Sequence, residues 1–204
     1  MSVRKCIQCK AITSRKRRCK RTTCKYGPYC FQHTRSIEGV EIKKSKLPGA
    51  GLGLFATRKH KKGSRISSYG GEVISKAVHE NRDSGYALSI GQGAGPNAKI
   101  LDGRATSSGN ARYVNDCRKA DKKHCPSGNN VKLPILRRPR NGGPVKGKLK
   151  VMKTIQEGQE IYAPYGRGYW SQGNGGGRKQ PKNARRKGRP PKRRSGIPKR
   201  RRLR

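Results

Sequence analysis

All ten acidic residues of this 204-residue chain lie between Glu38 and Glu160, while 52 lysines and arginines run along its whole length. Both ends are therefore purely cationic, and the formal net charge is +42. Only 30% of the residues are hydrophobic, too few for the whole chain to pack as one domain. One modest core with basic flanks is the organisation this permits. A charge excess of this size selects polyanionic partners, nucleic acid above all. No apolar run approaches the roughly 20 residues of a membrane span, so no membrane partner is expected. No apolar stretch near Met1 reads as a secretory signal. The seven cysteines are accordingly expected as thiols or metal ligands rather than disulfides.

The composition changes twice along the chain. Residues 1–35 are rich in cysteine and base, 36–172 hold nearly all the apolar clusters, and 173–204 are glycine, proline, lysine and arginine with almost nothing apolar. The last part opens on the linker-like Gly173-Asn174-Gly175-Gly176-Gly177 and cannot bury a core. Within it, Lys187-Gly188-Arg189-Pro190-Pro191-Lys192 is similar to an AT-hook. That resemblance implies DNA binding by Lys187, Gly188, Arg189 and Pro190, with arginine drawn to the negative potential of a narrow A·T minor groove. The alternatives are a nuclear localisation signal or a sequence-independent phosphate binder.

In the first part, Cys30-Phe31-Gln32-His33 can bring a thiolate and an imidazole to one ion, and Cys9 and Cys19 can complete a tetrahedral set. Cys6 and Cys24 are the alternates. The segment resembles small zinc-knuckle-like modules through Cys9, Ala11, Thr13, Cys19, Tyr29, Cys30 and His33. Too few apolar residues lie here for a metal-free core, so zinc would supply folding energy.

The middle part reads as many short strands separated by glycine turns. Strands are expected at Gly39–Lys46, Arg65–Ser75, Tyr86–Ile90, Lys99–Asp102, Asn130–Leu136 and Gly147–Ile155, with short helices near Lys76–Arg82 and Ser107–Asn115. This is a mostly β pattern. Along it runs an ordered set of motifs: Gly51-Leu52-Gly53-Leu54-Phe55-Ala56, Tyr69-Gly70-Gly71-Glu72, Asn110-Ala111-Arg112-Tyr113-Val114-Asn115, Asn129-Asn130-Val131, and Gly158-Gln159-Glu160-Ile161 leading to Tyr165-Gly166 and Tyr169-Trp170.

That order and spacing resemble the SET-domain protein-lysine methyltransferases over roughly residues 38–171. The resemblance implies small curved sheets around a knot-like segment, with S-adenosylmethionine on one face and a lysine channel entering from the other. It implies cofactor binding by Gly51, Leu52, Gly53, Tyr69, Arg112, Asn115, Asp116, Tyr165 and Trp170. Tyr165 stands at the position of the catalytic tyrosine. Arg112 reads as structural or as a carboxylate partner. Tyr86, Tyr113 and Tyr162 are the candidate aromatics of the substrate channel, each with a core role as its alternative. Trp170 either covers the adenine or closes the core.

Two departures stand out. Asp116 occupies a position where the family keeps histidine, and Ala163 stands two residues before Tyr165, where many relatives carry Phe or Tyr. Cys117 falls in the knot-like segment and is expected as a packed thiol, while His124-Cys125 belongs to an insertion, Lys119–Gly128. The resulting expectation is a monomeric nuclear, chromosomal enzyme that methylates lysine in a histone or other basic protein and is held on DNA by its basic tail. The alternative is a non-catalytic DNA- or chromatin-binding protein with a degenerate SET domain.

Overall fold

The computed structural model describes residues 6–82, 85–90, 98–105, 108–136 and 145–166. The expectations for Trp170 and for Lys187, Gly188, Arg189 and Pro190 lie outside the described residues.

The described chain is mostly β. Strands β1 (Ile7–Gln8) and β2 (Thr22–Thr23) form a small antiparallel ladder near the N-terminus, followed by a single helical turn, α1 (Phe31–His33), and a π-helical turn, Thr34–Glu38. Nine further strands follow: β3 (Val40–Lys44), β4 (Leu52–Ala56), β5 (Arg65–Gly70), β6 (Glu72–Ser75), β7 (Ala87–Ser89), β8 (Lys99–Asp102), β9 (Val131–Lys132), β10 (Lys146–Val151) and β11 (Glu160–Ile161). They make three three-stranded sheets, ordered β5-β10-β9, β11-β4-β3 and β6-β8-β7.

Strands β3 and β10 show the period-2 alternation of a half-buried strand, whereas β4, β8 and β11 are buried on both faces. In β10, Leu149 and Val151 are buried while Lys148 and Lys150 are exposed. In β3, Val40 and Ile42 point inward and Lys43 and Lys44 outward. The inward residues meet Leu54, Leu101, Ile155 and Ile161, all fully buried, in one core. Each such aliphatic side chain contributes about 1.5–3 kcal/mol by leaving water.

The helix α2 (Lys76–Arg82) starts where the Val78 amide donates to Ser75 Oγ (3.3 Å), an N-terminal cap. It buries nothing and is braced by a Lys76–Glu80 pair one turn apart. Asn110–Tyr113 forms a 3₁₀ turn inside the stretch expected as a short helix. β9 is much shorter than expected, because Pro134 has no amide to continue the ladder.

The cysteine expectation needs correction. Cys6 is bonded to Cys24, and Cys117 to Cys125. Ile7 pairs with Thr23, so the flanking Cys6 and Cys24 face each other with Cα atoms 4.2 Å apart. Cys117 and Cys125 close the start of the insertion, so Cys117 is half of a disulfide and not a packed thiol.

The N-terminal module is tied into the core by the loop at residues 25–27. The Gly27 amide donates to Asn110 Oδ1 (3.1 Å), and the Tyr113 hydroxyl donates to the Lys25 carbonyl (3.2 Å). Arg112 sits at the centre of this junction, buried. Its guanidinium donates to the carbonyls of Gly103 (3.3 Å), Arg104 (3.0 Å), Ala105 and Lys25 (3.2 Å), and to the Tyr113 hydroxyl (2.9 Å). A planar, multiply donating fork suits several oxygens at once, whereas an ammonium is a compact point charge. Arg112→Lys should therefore keep the charge but lose most of these bonds. The expected cost is about 2–4 kcal/mol in urea unfolding, and an unchanged midpoint would refute the junction's importance.

Candidate active site

Three segments distant in sequence cross at one place. Asn115 bridges in parallel with Tyr162, and the Ala163 amide donates to the Asn115 carbonyl (2.9 Å). Asn130 clamps the same strand from the other side: its Nδ2 donates to the Glu160 carbonyl (2.9 Å) and its Oδ1 accepts the Tyr162 amide (2.9 Å). An asparagine side chain here replaces a backbone partner, because it carries both a donor and an acceptor.

The Glu160 carboxylate is buried beneath the crossing. It accepts from Ser45 Oγ (2.6 Å), the Lys46 amide (2.7 Å), Asn115 Nδ2 (3.3 Å) and the Tyr162 hydroxyl (2.8 Å). Burial and the facing carboxylate push the Tyr162 phenol well above its ordinary range, so it stays a donor. Asn115 Nδ2 also donates to the Leu52 carbonyl (3.0 Å), which fastens the Gly51–Gly53 segment to the crossing.

Beside the crossing lies a narrow cavity of about 60 Å³, lined by Tyr69, Leu88, Ala111, Val114, Leu133 and Tyr165 together with parts of Gly85, Ala87 and Arg112. The Tyr165 hydroxyl donates to the Val114 carbonyl (2.6 Å) and lies 3.5 Å from Asn115 Oδ1. Its only proton is thereby committed to that carbonyl. Burial, with the Asp102 charge adding to it, raises the Tyr69 phenol far above its usual range.

Asp116 explains how a carboxylate fits where the family keeps an imidazole. Its Oδ2 accepts the Tyr165 amide (2.8 Å) and Arg118 Nη2 (3.1 Å). Its Oδ1 accepts the Arg118 amide (2.9 Å) and Asn129 Nδ2 (3.0 Å). The carboxylate thus holds the backbone of Tyr165 and the loop at Asn129 together. It serves as a brace, and four donors offset the cost of burying its charge.

In the N-terminal module, Cys9, Cys19, Cys30 and His33 place their ligand atoms within 4.8 Å of one another. Cys9 Sγ and Cys30 Sγ lie 3.4 and 3.3 Å from His33 Nδ1. Burial pushes the Cys30 thiol up, but hydrogen bonds from the His33 backbone and ring, and from Cys9 and Cys19, outweigh it and bring it down to about 7. Three sulfurs from buried cysteines and one half-buried imidazole gathered this closely fit a structural metal ion, for which four such ligands are the usual set. Cys6 and Cys24, the expected alternates, are removed from that set by their disulfide.

With the crossing, the cavity and the ordered motifs in place, comparison with known families is decisive. Residues 51–166 match the family model described as the SET domain. The chain belongs to the SET domain family. No curated protein sequence matches the chain. Among solved structures, an active polycomb repressive complex 2 in the basal state is 26% identical over 64% of this chain, with a TM-score of 0.47. The complex ctPRC2, in an autoinhibited conformation bound to S-adenosylmethionine, is 24% identical over 63% of this chain, with a TM-score of 0.48. ATXR5 in complex with a mono-methylated histone H3.1 is 17% identical over 62% of this chain, with a TM-score of 0.49. The chain spans 15% of the length of each polycomb chain and 56% of the ATXR5 chain.

Within the SET domain the sequence candidates divide. Tyr165, Asn115, Asp116 and Leu52 are joined by hydrogen bonds, and Tyr69 and Tyr165 both line the cavity. Tyr162 turns away into a cluster with Leu47, Cys117 and Cys125, so it is not a cavity aromatic. Tyr113 is a core residue, its hydroxyl used at the Lys25 carbonyl. Tyr86 stacks edge-on against Tyr113 with ring centres 6.1 Å apart, and it is the flanking Gly85 and Ala87 that line the cavity. Arg112 spends its guanidinium on carbonyls and a hydroxyl rather than on a carboxylate.

The sequence reading assigned no role to Glu160, Ser45, Asn129 or Asn130. The signals were their places in two of the ordered motifs, Asn129-Asn130-Val131 and Gly158-Gln159-Glu160-Ile161, with Ser45 in neither.

Gly51 and Gly53 also separate. Gly51 has φ +70° with open space where a Cβ would go. A Cβ on Gly53 would stand 2.2 Å from Glu160 Oε1. The Glu160 carboxylate therefore requires glycine at position 53. Gly51→Ala should cost about 1 kcal/mol through its backbone conformation alone. Gly53→Ala should cost about 2–3 kcal/mol by displacing Glu160. Thermal unfolding of the two variants checks the order, and equal losses would contradict it.

Proposed function

We propose that this protein is an S-adenosylmethionine-dependent protein-lysine N-methyltransferase acting in the nucleus, on chromosomes, with a histone or another basic protein as substrate. The observation that carries the reading is the Tyr165 hydroxyl, locked onto the Val114 carbonyl at the wall of the narrow cavity. Membership of the SET domain family supports the reaction class.

When bound, S-adenosylmethionine supplies the methyl group as an electrophilic sulfonium. The residues suited to hold it are the backbone of Gly51 and Leu52, with open space beside Gly51, together with Asn115 and Trp170. The cavity suits the end of one unbranched side chain. Its apolar wall of Leu88, Ala111, Val114 and Leu133 disfavours an ammonium, so a lysine entering it loses its proton more readily. Tyr165 then offers lone pairs to an amine N–H and fixes the direction of the nitrogen. Alignment of this kind supplies much of the rate. Asp116 acts one step back, by holding the Tyr165 backbone.

Three parts divide the labour in this reading: residues 1–35 as a zinc module, 36–172 as the catalytic domain, and 173–204 as a tail whose Lys187–Pro190 stretch binds DNA. The protein works as a monomer. Zinc is the metal favoured by three thiolates and an imidazole.

Labelled S-adenosylmethionine and nucleosomes test the activity directly. Wild type should label a histone, and Tyr165→Phe should lower the rate about a hundredfold or more while calorimetry still detects cofactor binding. Cofactor binding without transfer by the wild type would leave only a degenerate domain. Elemental analysis should find one zinc per chain, and Cys30→Ser should lose it together with several degrees of thermal midpoint. A wild-type zinc content near zero would rule the metal out.

A further inference from the structure

We propose that the turn Thr13–Arg18, with Lys10 and Lys20 beside it, is a docking surface for nucleic-acid phosphates. This surface is separate from the C-terminal tail and independent of the methyltransferase reading. Residues 6–37 contain nine lysines and arginines and no acid. Four of the nine are committed to the fold. Arg18 donates to the carbonyls of Cys9 (3.1 Å) and Gln8 (3.2 Å), Arg21 to Gln32, Lys25 to the Ile42 carbonyl (3.4 Å), and Arg35 pairs with Glu41. The other five, Lys10, Arg15, Lys16, Arg17 and Lys20, are exposed. No side-chain hydrogen bond or ion pair holds them among the described residues.

Their backbone is held rigidly. The Thr13 amide and hydroxyl both donate to the Arg17 carbonyl at 2.9 Å, the Lys16 amide donates to the Thr13 carbonyl (2.9 Å), and Ile12 bridges Arg18. The turn is rooted at both ends on metal-site residues, since Cys9 precedes it and the Cys19 amide donates to the Ala11 carbonyl (2.8 Å). The free cations are thus carried on a fixed frame and lose little freedom on binding.

Lys16 gives an independent indication. It has φ +55°, a left-handed conformation that glycine or asparagine adopts at lower cost. A cation kept at a strained tip points to a use for its charge. A membrane-docking turn needs an apolar face to insert, and Ile12 is the lone exposed aliphatic beside these cations. A phosphate backbone needs only the charge.

Fluorescence anisotropy with a short mixed-sequence duplex, across a salt series, tests this on the full chain. Two variants remove equal charge: Arg15→Ala/Lys16→Ala/Arg17→Ala at the turn, and Lys59→Ala/Lys61→Ala/Lys62→Ala on an exposed loop elsewhere. The turn variant should lower the log–log salt slope by about 2–3, near 0.9 for each phosphate that is no longer neutralised, and the control by less than about 1. Equal slopes would overturn the proposal, because charge would then act without regard to place. So would a greater loss of binding to phosphatidylserine vesicles than to the duplex. Lys16→Gly separates folding from docking: its thermal midpoint should hold or rise while the slope falls by about 1. A lowered midpoint with an unchanged slope would also overturn it.

Discussion

The buried carboxylate of Glu160 holds the functional half of the molecule in place. Four donors from residues 45, 46, 115 and 162 converge on it, and Gly53 is glycine because the carboxylate fills its side-chain space. A lone buried charge would be costly, and this one is tolerated because its oxygens are fully engaged. Asn115 is thereby oriented, and through Asn115 the Leu52 carbonyl and the neighbourhood of Tyr165. Val114, next to Asn115, and Tyr165 both line the cavity, so this arrangement bears on one part of its wall.

A second set of bonds joins the metal-ligand module to the same region. Lys25 and Gly27 reach Arg112, Tyr113 and Asn110, the 3₁₀ turn that leads within two residues to Asn115. The module is thus continuous with the framework of the site. Loss of its fold would be felt at the turn before it is felt at the sheets.

The mostly β architecture was legible because alternation is local: Leu149 and Val151 against Lys148 and Lys150 reveal a half-buried strand without any partner. Cys9, Cys19, Cys30 and His33 were legible as a set because metal ligands repeat a recognisable chemistry. What the sequence hid depended on distant pairing. Gly53 suggested room for a ligand, yet its neighbour is a carboxylate more than a hundred residues later. Asp116 looked like a defect until Asn129, Arg118 and the Tyr165 amide were seen around it. Arg112 read as structural or as a carboxylate partner, and its actual acceptors stayed hidden because backbone carbonyls carry no sequence signature. The Cys6–Cys24 pair follows from a strand register that two-residue strands cannot announce.

The long reach of the Glu160 bonds also orders assembly in time. The metal ligands lie within residues 9–33, so that module can close on a short nascent chain. Asn110 and Arg112 meet it only about eighty residues later. Glu160 bonds Ser45 and Lys46 across 115 and 114 residues. During synthesis the site around Tyr165 is therefore the last part of the domain able to form. Any chain released early carries a finished basic module and no completed cavity.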